Sequence, residues 1–85
     1  MDQDMARMNV TYSGQNGDLN EQVAYDTPDN LLLQMAKEAI QGGSIPGIVA
    51  DADADLDGFV VQRFPATGVL PNRVVLRPKT PFGGR

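Results

Sequence analysis

The sequence contains no cysteine, no histidine and no tryptophan, and these absences limit its chemistry. Without cysteine the chain can form no disulfide and has neither a thiolate ligand nor a thiol nucleophile. Without histidine it cannot build the usual zinc sites or the Ser-His and Cys-His pairs of nucleophilic catalysis. The chain alone therefore cannot assemble these catalytic and metal sites.

Long apolar runs are also missing. No segment approaches the ~20 apolar residues that cross a bilayer, and the opening segment, Met1 to Arg7, is polar and acidic, unlike a signal peptide. The 85 residues allow one small domain, for which 41% apolar residues provide enough material for a core. These features predict a soluble cytoplasmic protein that does not bind membranes.

The charge is unevenly distributed along the chain. The net charge of −4 disfavours nucleic acid as a partner. The acidic residues end with a dense group, Asp51, Asp53, Asp55 and Asp57, whereas the remainder carries only basic charges, Arg63, Arg73, Arg77, Lys79 and Arg85. Two interpretations stay open: solvated patches of opposite sign, or a basic strand and tail that docks in an acidic groove of a partner.

The N-terminal part is predicted to form a β-hairpin. Residues 8–13 alternate apolar and polar side chains, and a second alternating segment runs from Leu19 to Asp26. Asn16-Gly17 lies between them and is a strong signal for a tight turn, so we place the turn there. Residues 1–7 are predicted to be a disordered lead.

One amphipathic helix is predicted from Pro28 to Gln41. Thr27 is suited to cap it, Pro28 fits the first helical position, and Gly42-Gly43 should end it. The face expected to be buried, which would pack on the sheet, consists of Leu32, Met35, Ala36, Ala39 and Ile40.

The C-terminal half predicts shorter strands. One covers Phe59 to Phe64 and is ended by Pro65, a second closes the domain from Arg73 to Arg77, and residues 48–50 could form a further short strand. Core positions are expected at Ile45, Val69 and Leu70.

The order of elements predicts the fold class. A hairpin, one helix and two or three further strands favour an α+β domain in which the helix packs across a mixed sheet of four to five strands. The last strand would lie centrally and parallel to the first. We therefore divide the chain into the lead 1–7, a single domain 8–77 and a flexible tail 78–85.

Three local features of the sequence belong together. The first is the passage from strand to capped helix in residues 23–31. The second is Ile45-Pro46 after the helix. The third is Val74-Val75-Leu76-Arg77, which leads to Gly83-Gly84. Together they resemble the ubiquitin-like β-grasp family, and most of all its small bacterial modifier proteins. The resemblance implies a chain that is a substrate and not an enzyme, with no cofactor of its own.

The resemblance implies a β-grasp fold and a role as a protein modifier or a sulfur carrier. In such proteins a partner enzyme uses ATP and magnesium to adenylate the terminal glycine carboxylate. By position, Gly84 would carry the reacting carboxyl beside Gly83, and Arg77 and Lys79 would guide docking. Because Arg85 follows Gly84, a metal-dependent tail-trimming peptidase would have to remove it first. The implied partners are therefore the activating enzyme, the peptidase and the target proteins of a monomeric modifier.

The acidic segment allows another interpretation. Asp53, Asp55 and Asp57 match the first, third and fifth positions of an EF-hand calcium loop. The twelfth position is Phe64, where a bidentate glutamate is needed, and no helices are predicted on either side. An acidic turn at Asp57-Gly58 is the alternative.

Three functional classes therefore stay open. The leading one is a modifier or sulfur carrier, and the second is a non-conjugated interaction module that binds through the sheet face or through residues 59–64. The third is a calcium-responsive domain.

Overall fold

The computed structural model describes residues 5–79. Its elements are, in chain order, β1 (Met5–Tyr12), β2 (Gln15–Asp18), β3 (Val23–Ala24), α1 (Asp29–Gly42), β4 (Val60–Phe64) and β5 (Arg73–Arg77). One helix packs against a mixed five-stranded sheet, so the predicted α+β class is confirmed. No helix in this part of the chain is long and apolar enough to cross a membrane.

The strand order is β2-β1-β5-β4, and β3 pairs with the first residues of β1. β5 is parallel to β1, with Met8 beside Val74, and antiparallel to β4. The prediction of a central last strand parallel to the first is confirmed, and its predicted bounds coincide with those of β5.

The core lies between the two central strands and one face of α1. Met8, Val10, Val74 and Leu76 are fully buried in the strands because every second residue faces the helix. The helix contributes Leu32, Ala36 and Ile40 at helical spacing, whereas Ala39 is half-buried and Met35 is exposed. Ile45 is buried as predicted. Burial of each Val, Leu, Ile or Met side chain in this core stabilises the fold by roughly 1.5–3 kcal/mol.

The hairpin turn lies three residues earlier than predicted. It is formed by Ser13 and Gly14, whose φ angles of 53° and 77° are those of a type I′ turn. Asn16 and Gly17 belong to β2 instead. A Cβ atom on Gly17 would lie 2.1 Å from the carbonyl oxygen of Pro46, so this glycine serves a close approach between chain segments and not a turn.

Two further boundaries differ from the prediction. β1 begins at Met5 and Ala6 is fully buried, so the predicted lead is wrong for residues 5–7, while residues 1–4 lie outside the described part. Of the predicted return strand only β3 is a strand. The Leu19 N–H still donates to the Met8 carbonyl at 2.9 Å, and residues 20–22 then leave β1 before β3 pairs with it.

The helix bounds differ from the prediction by one residue at each end, but the predicted cap is absent. Thr27 makes no side-chain cap; its hydroxyl donates a hydrogen bond to the Ala24 carbonyl at 2.6 Å. Gly43 ends the helix in the left-handed conformation, and its N–H reaches the Ile40 carbonyl.

The connector between β4 and β5 is held by a polar residue. Val69 and Leu70, expected in the core, are 90% and 45% exposed. Asn72 is buried instead; its amide oxygen accepts a hydrogen bond from the Ala66 N–H at 2.7 Å, and its amide nitrogen donates to the Met5 carbonyl at 3.2 Å. Residues 48–50 form no strand, although Ile48 is buried.

Candidate functional site

The predicted conjugation residues, Gly83 and Gly84, lie outside the described residues, as does Arg85. What the structure describes is the base from which that segment leaves. Arg77 is the last residue of β5 and is half-buried, and Lys79 is exposed two residues later. The predicted tail, residues 78–85, therefore follows directly on the last residue of a central strand.

The side of the sheet that faces away from α1 is here called the open sheet face. On β1 from Arg7 onward and on the strands paired with it and with β5, the residues of this face are Arg7, Asn9, Thr11, Asn16, Asp18, Val60, Gln62, Phe64, Arg73, Val75 and Arg77. Three of these eleven residues are arginines and only Asp18 is acidic, although the chain as a whole carries a net negative charge. The open sheet face therefore carries more positive than negative charge.

The arginines of the open sheet face are held in different ways. Arg7 and Arg73 are neighbours in register, and like charges at such positions repel each other. Arg7 turns toward Asp18, with the charged atoms 3.7 Å apart, and the Arg73 guanidinium lies 4.8 Å from the centre of the Phe64 ring. The Arg77 Nε atom donates to the Gln62 side-chain oxygen at 3.0 Å. Within residues 5–79, neither Arg73 nor Arg77 has an acidic partner.

Arg63 belongs to the same basic part of the sequence but has a structural role. It lies beside Val74 on the helix side of the sheet. Its Nε atom donates to the Tyr25 carbonyl at 3.1 Å, one terminal nitrogen bonds Asp29 at 2.8 Å, and the other bonds the Thr27 carbonyl. Because each of its three nitrogens bonds an acceptor near the start of α1, Arg63 links β4 to that helix and is directed away from the open sheet face.

The acidic segment from Asp51 to Gly58 is a structured loop. Ala54 and Leu56 are buried and belong to the core, whereas Asp53, Asp55 and Asp57, which alternate with them, are exposed. The loop holds its shape through side-chain oxygens: Asp51 accepts from the N–H of Asp53 at 3.0 Å, and Asp55 accepts from the N–H of Asp57 at 2.9 Å.

The structure does not bring the predicted metal ligands together. Among residues 5–79 no group of three or more acidic side chains is placed to hold a metal ion, and Asp53, Asp55 and Asp57 form no such group. The predicted turn at Asp57-Gly58 is present, closed by a 3.0 Å hydrogen bond from the Phe59 N–H to the Leu56 carbonyl.

A contact between Tyr12 and Asp51 ties this loop to the end of β1. The Tyr12 hydroxyl donates to an Asp51 carboxylate oxygen at 2.6 Å, and the Tyr12 ring lies 6.3 Å from the ring of Phe59. The hydrogen bond lowers the pKa of Asp51 below its ordinary value and raises the pKa of Tyr12 above its own. Sequence reasoning missed this pair because 39 positions separate the two residues and no local pattern links them.

Two open grooves flank α1. One, of about 410 Å³, lies between the helix and residues 19–21, and the other, of about 680 Å³, lies between the helix and the acidic loop. No buried side-chain nitrogen or oxygen in the described part of the chain lacks a hydrogen-bond partner. The grooves therefore contain no buried polar group that is left to bind a ligand.

No protein-family model, curated protein or solved structure matches this chain. Its function must therefore be argued from the positions and charges of its own residues.

Proposed function

We propose that this protein is a ubiquitin-like modifier with a β-grasp fold, whose Gly84 carboxylate is activated by a partner adenylating enzyme after Arg85 has been removed. One observation carries the proposal: β5 is a central strand, paired on both sides, and it leads through Arg77 and Lys79 toward Gly83-Gly84. A central strand gives the following segment a rigid base from which to enter another protein's active site.

The strand arrangement is compatible with the β-grasp. The hairpin β1–β2 precedes the single helix, β4 follows it, and β5 returns between β1 and β4 to give the order β2-β1-β5-β4. The helix covers one side of this mixed sheet and leaves the other side open.

In the proposed reaction the chain is a substrate and the partner supplies the catalysis. A carboxylate oxygen of Gly84 attacks the α-phosphate of ATP, and pyrophosphate leaves. A thiol or amine then displaces AMP from the acyl-adenylate and loses its proton. Glycines at positions 83 and 84 suit a narrow channel because they lack a Cβ atom.

Docking on the activating enzyme would use the charges at the base of the tail. Arg77 has no acidic partner among residues 5–79, and Lys79 is exposed. An acidic groove on the enzyme would complement both, so association should weaken as salt concentration rises.

The test is intact mass measurement of a chain that ends at Gly84, incubated with its activating enzyme, ATP and magnesium. We expect an adenylate or a thioester with the enzyme. The matched control retains Arg85 and should give no adduct, since its terminal carboxyl is not that of glycine. Absence of any adduct on the chain ending at Gly84 would contradict the proposal.

A second candidate is a non-conjugated interaction module, or a sulfur carrier if Gly84 is converted to a thiocarboxylate. The module is favoured by the open sheet face, on which exposed Phe64 lies beside Arg73. Replacing Gly83 and Gly84 by alanine separates the two candidates in the source cells. Loss of higher-mass conjugates supports the modifier, whereas unchanged function of the variant supports the module.

A further inference from the structure

The two edges of the sheet differ in how they are covered. The β2 edge is shielded by residues 45–49: the Pro46 carbonyl lies against Gly17, and the Val49 N–H donates to the Gln15 side chain at 2.9 Å. Such cover prevents another strand from pairing with β2.

The β4 edge has no such cover. In the described part of the chain β4 pairs only with β5, and no other backbone hydrogen bond reaches residues 60–64. In an antiparallel pair, alternate residues turn both their N–H and their C=O away from the partner strand. Among residues 5–79 the outer groups of β4 therefore have no backbone partner, and they can pair with a further strand.

Two arginines of β5 lean toward this free edge. Arg77 is drawn to Gln62 and Arg73 lies over Phe64, and both of these contact residues belong to β4. Gln62 and Phe64 are two residues apart on the open sheet face, which corresponds to about 6.8 Å along a strand. On an added strand, side chains at alternate positions have the same spacing.

We infer that the β4 edge binds an extended segment of a partner protein that carries acidic residues at alternate positions. The segment adds to the sheet as a new strand, and two of its carboxylates on the open sheet face bind Arg73 and Arg77. Charge-assisted hydrogen bonds between guanidinium and carboxylate supply selectivity, while the backbone ladder supplies the extended geometry.

Charge argues against two other occupants of this edge. Pairing of two copies through β4 would align Arg73 and Arg77 of both chains along one seam, where they repel each other. Nucleic acid is disfavoured by the net charge of −4.

The acidic loop of a second copy also fits poorly. It has aspartates at alternate positions, but Ala54 and Leu56 are buried between them and Asp55 accepts a hydrogen bond within the loop. It would have to leave the core before it could form a strand.

The inference shares Arg77 with the proposed docking on the activating enzyme, but it uses the edge of β4 and needs neither Gly84 nor that enzyme. Binding can therefore fail while adenylation succeeds, and the reverse can also occur.

The experiment uses the full chain, isotopically labelled, and capped peptides of about six residues, the usual length of a strand. The first peptide alternates glutamate with threonine or valine. The second has the same composition with its glutamates adjacent, and the third is the first with N-methyl groups on alternate backbone nitrogens. We expect saturable amide shifts centred on residues 60–64 with the first peptide and at least about tenfold weaker binding of the other two.

Matched variants test the role of the arginines. Arg73→Gln and Arg77→Gln should each weaken binding about tenfold. Arg7→Gln removes a charge from the same face at a position that leans toward β2, and should leave binding unchanged. Thermal unfolding checks that all three variants fold. Shifts centred elsewhere, equal binding of the N-methylated peptide, an equal effect of Arg7→Gln, or dimerisation of the free chain through β4 would each overturn the inference.

Discussion

Tyr12 and Asp51 form a hydrogen bond that makes stability depend on pH at both ends of the scale. The pKa of Asp51 is lowered, so its contribution is complete above the ordinary value of 3.8 and is lost as pH falls through the lower pKa of the folded state. The pKa of Tyr12 is raised, so its contribution is complete below 10.0 and is lost as pH rises through the higher folded pKa. Near neutral pH the bond stabilises the fold fully.

Replacing Asp51 by asparagine should lower the pKa of Tyr12 toward 10.0, because the charged acceptor of its hydrogen bond is removed. The ring-carbon resonance of Tyr12 reports this titration by NMR. A Tyr25→Phe background leaves one phenol to titrate in both the parent and the variant. An unchanged Tyr12 pKa would show that the Asp51 contact is not formed in solution.

A substitution at Gly17 tests why β2 contains a glycine. The structure indicates that the reason is the close approach of Pro46 and not the flexibility of the backbone. Gly17→Ala places a methyl group 2.1 Å from the Pro46 carbonyl oxygen and 2.8 Å from an Ile45 methyl carbon. We expect the free energy of unfolding to fall by about 1–3 kcal/mol, as in overpacked cores. Gly42→Ala in α1 is the control: its Cβ meets no atom within 4 Å, and it should stabilise by up to ~1 kcal/mol. Urea unfolding measures both, and similar values for the two variants would contradict the steric explanation.

At the scale of elements, Arg63 connects β4 by hydrogen bonds to residues 25–29, which lead into α1. Arg63→Met leaves the carbonyls of Tyr25 and Thr27 without this donor, so we expect the free energy of unfolding to fall by about 1–3 kcal/mol. Arg7→Met is the control, since the Arg7–Asp18 pair is exposed and 3.7 Å apart and should contribute only ~0–1 kcal/mol. Denaturant unfolding separates the two.

The lysine variant sharpens the same test. Arg63→Lys keeps the charge but not the planar fork that reaches three acceptors at once. It should therefore recover only part of the stability lost in Arg63→Met. Full recovery would mean that charge alone, through Asp29, explains the effect.

Elements whose signals are local could be predicted from the sequence. The helix follows from its apolar spacing and the glycines after it, and β5 follows from the run Val74-Val75-Leu76. The hairpin turn could not be placed correctly because Ser13-Gly14 and Asn16-Gly17 are both suitable dipeptides. The choice depends on Pro46, which approaches Gly17 from a distant part of the chain.

For the candidate site, the sequence predicts the presence of basic residues but not their positions in the sheet. The excess of basic residues after Asp57 is visible in the sequence, but which arginines are free depends on strand register. Register places Arg63 on the helix side, where each of its nitrogens bonds an acceptor, and Arg73 and Arg77 on the open sheet face. The exposure of Val69 and Leu70 was missed for a related reason, since Asn72 anchors the connector by hydrogen bonds that no apolar pattern reveals.

At the scale of the whole molecule, the fold depends on pairing the first strand with the last. β1 and β5 are parallel neighbours, with Arg7 beside Arg73 and Val10 beside Leu76, so almost the entire chain lies between the paired segments. β5 is also the only strand paired with β4 in the described residues. The domain should therefore form cooperatively, without a stable N-terminal half.

Truncation tests this dependence and separates the two functional proposals. A chain ending at Asn72 loses Val74 and Leu76, which together contribute roughly 3–6 kcal/mol of burial, as well as both ladders of β5. Because small domains are stable by only ~5–15 kcal/mol, this chain should be unfolded. A chain ending at Lys79 keeps every buried residue of the described core and should give dispersed amide resonances and a cooperative thermal transition.

The chain ending at Lys79 should also bind the alternating acidic peptide as the full chain does, because β4, Arg73 and Arg77 are intact. It cannot form the adenylate, because it lacks Gly84. Both measurements are made on one protein, by amide shifts of residues 60–64 and by intact mass. If this chain folds but no longer binds the peptide, the segment beyond Lys79 takes part in the β4 site and the two proposals are not independent. If the chain ending at Lys79 is unfolded, residues 5–77 do not form a stable core by themselves. This result would contradict the proposal that β5 is a rigid base for the tail.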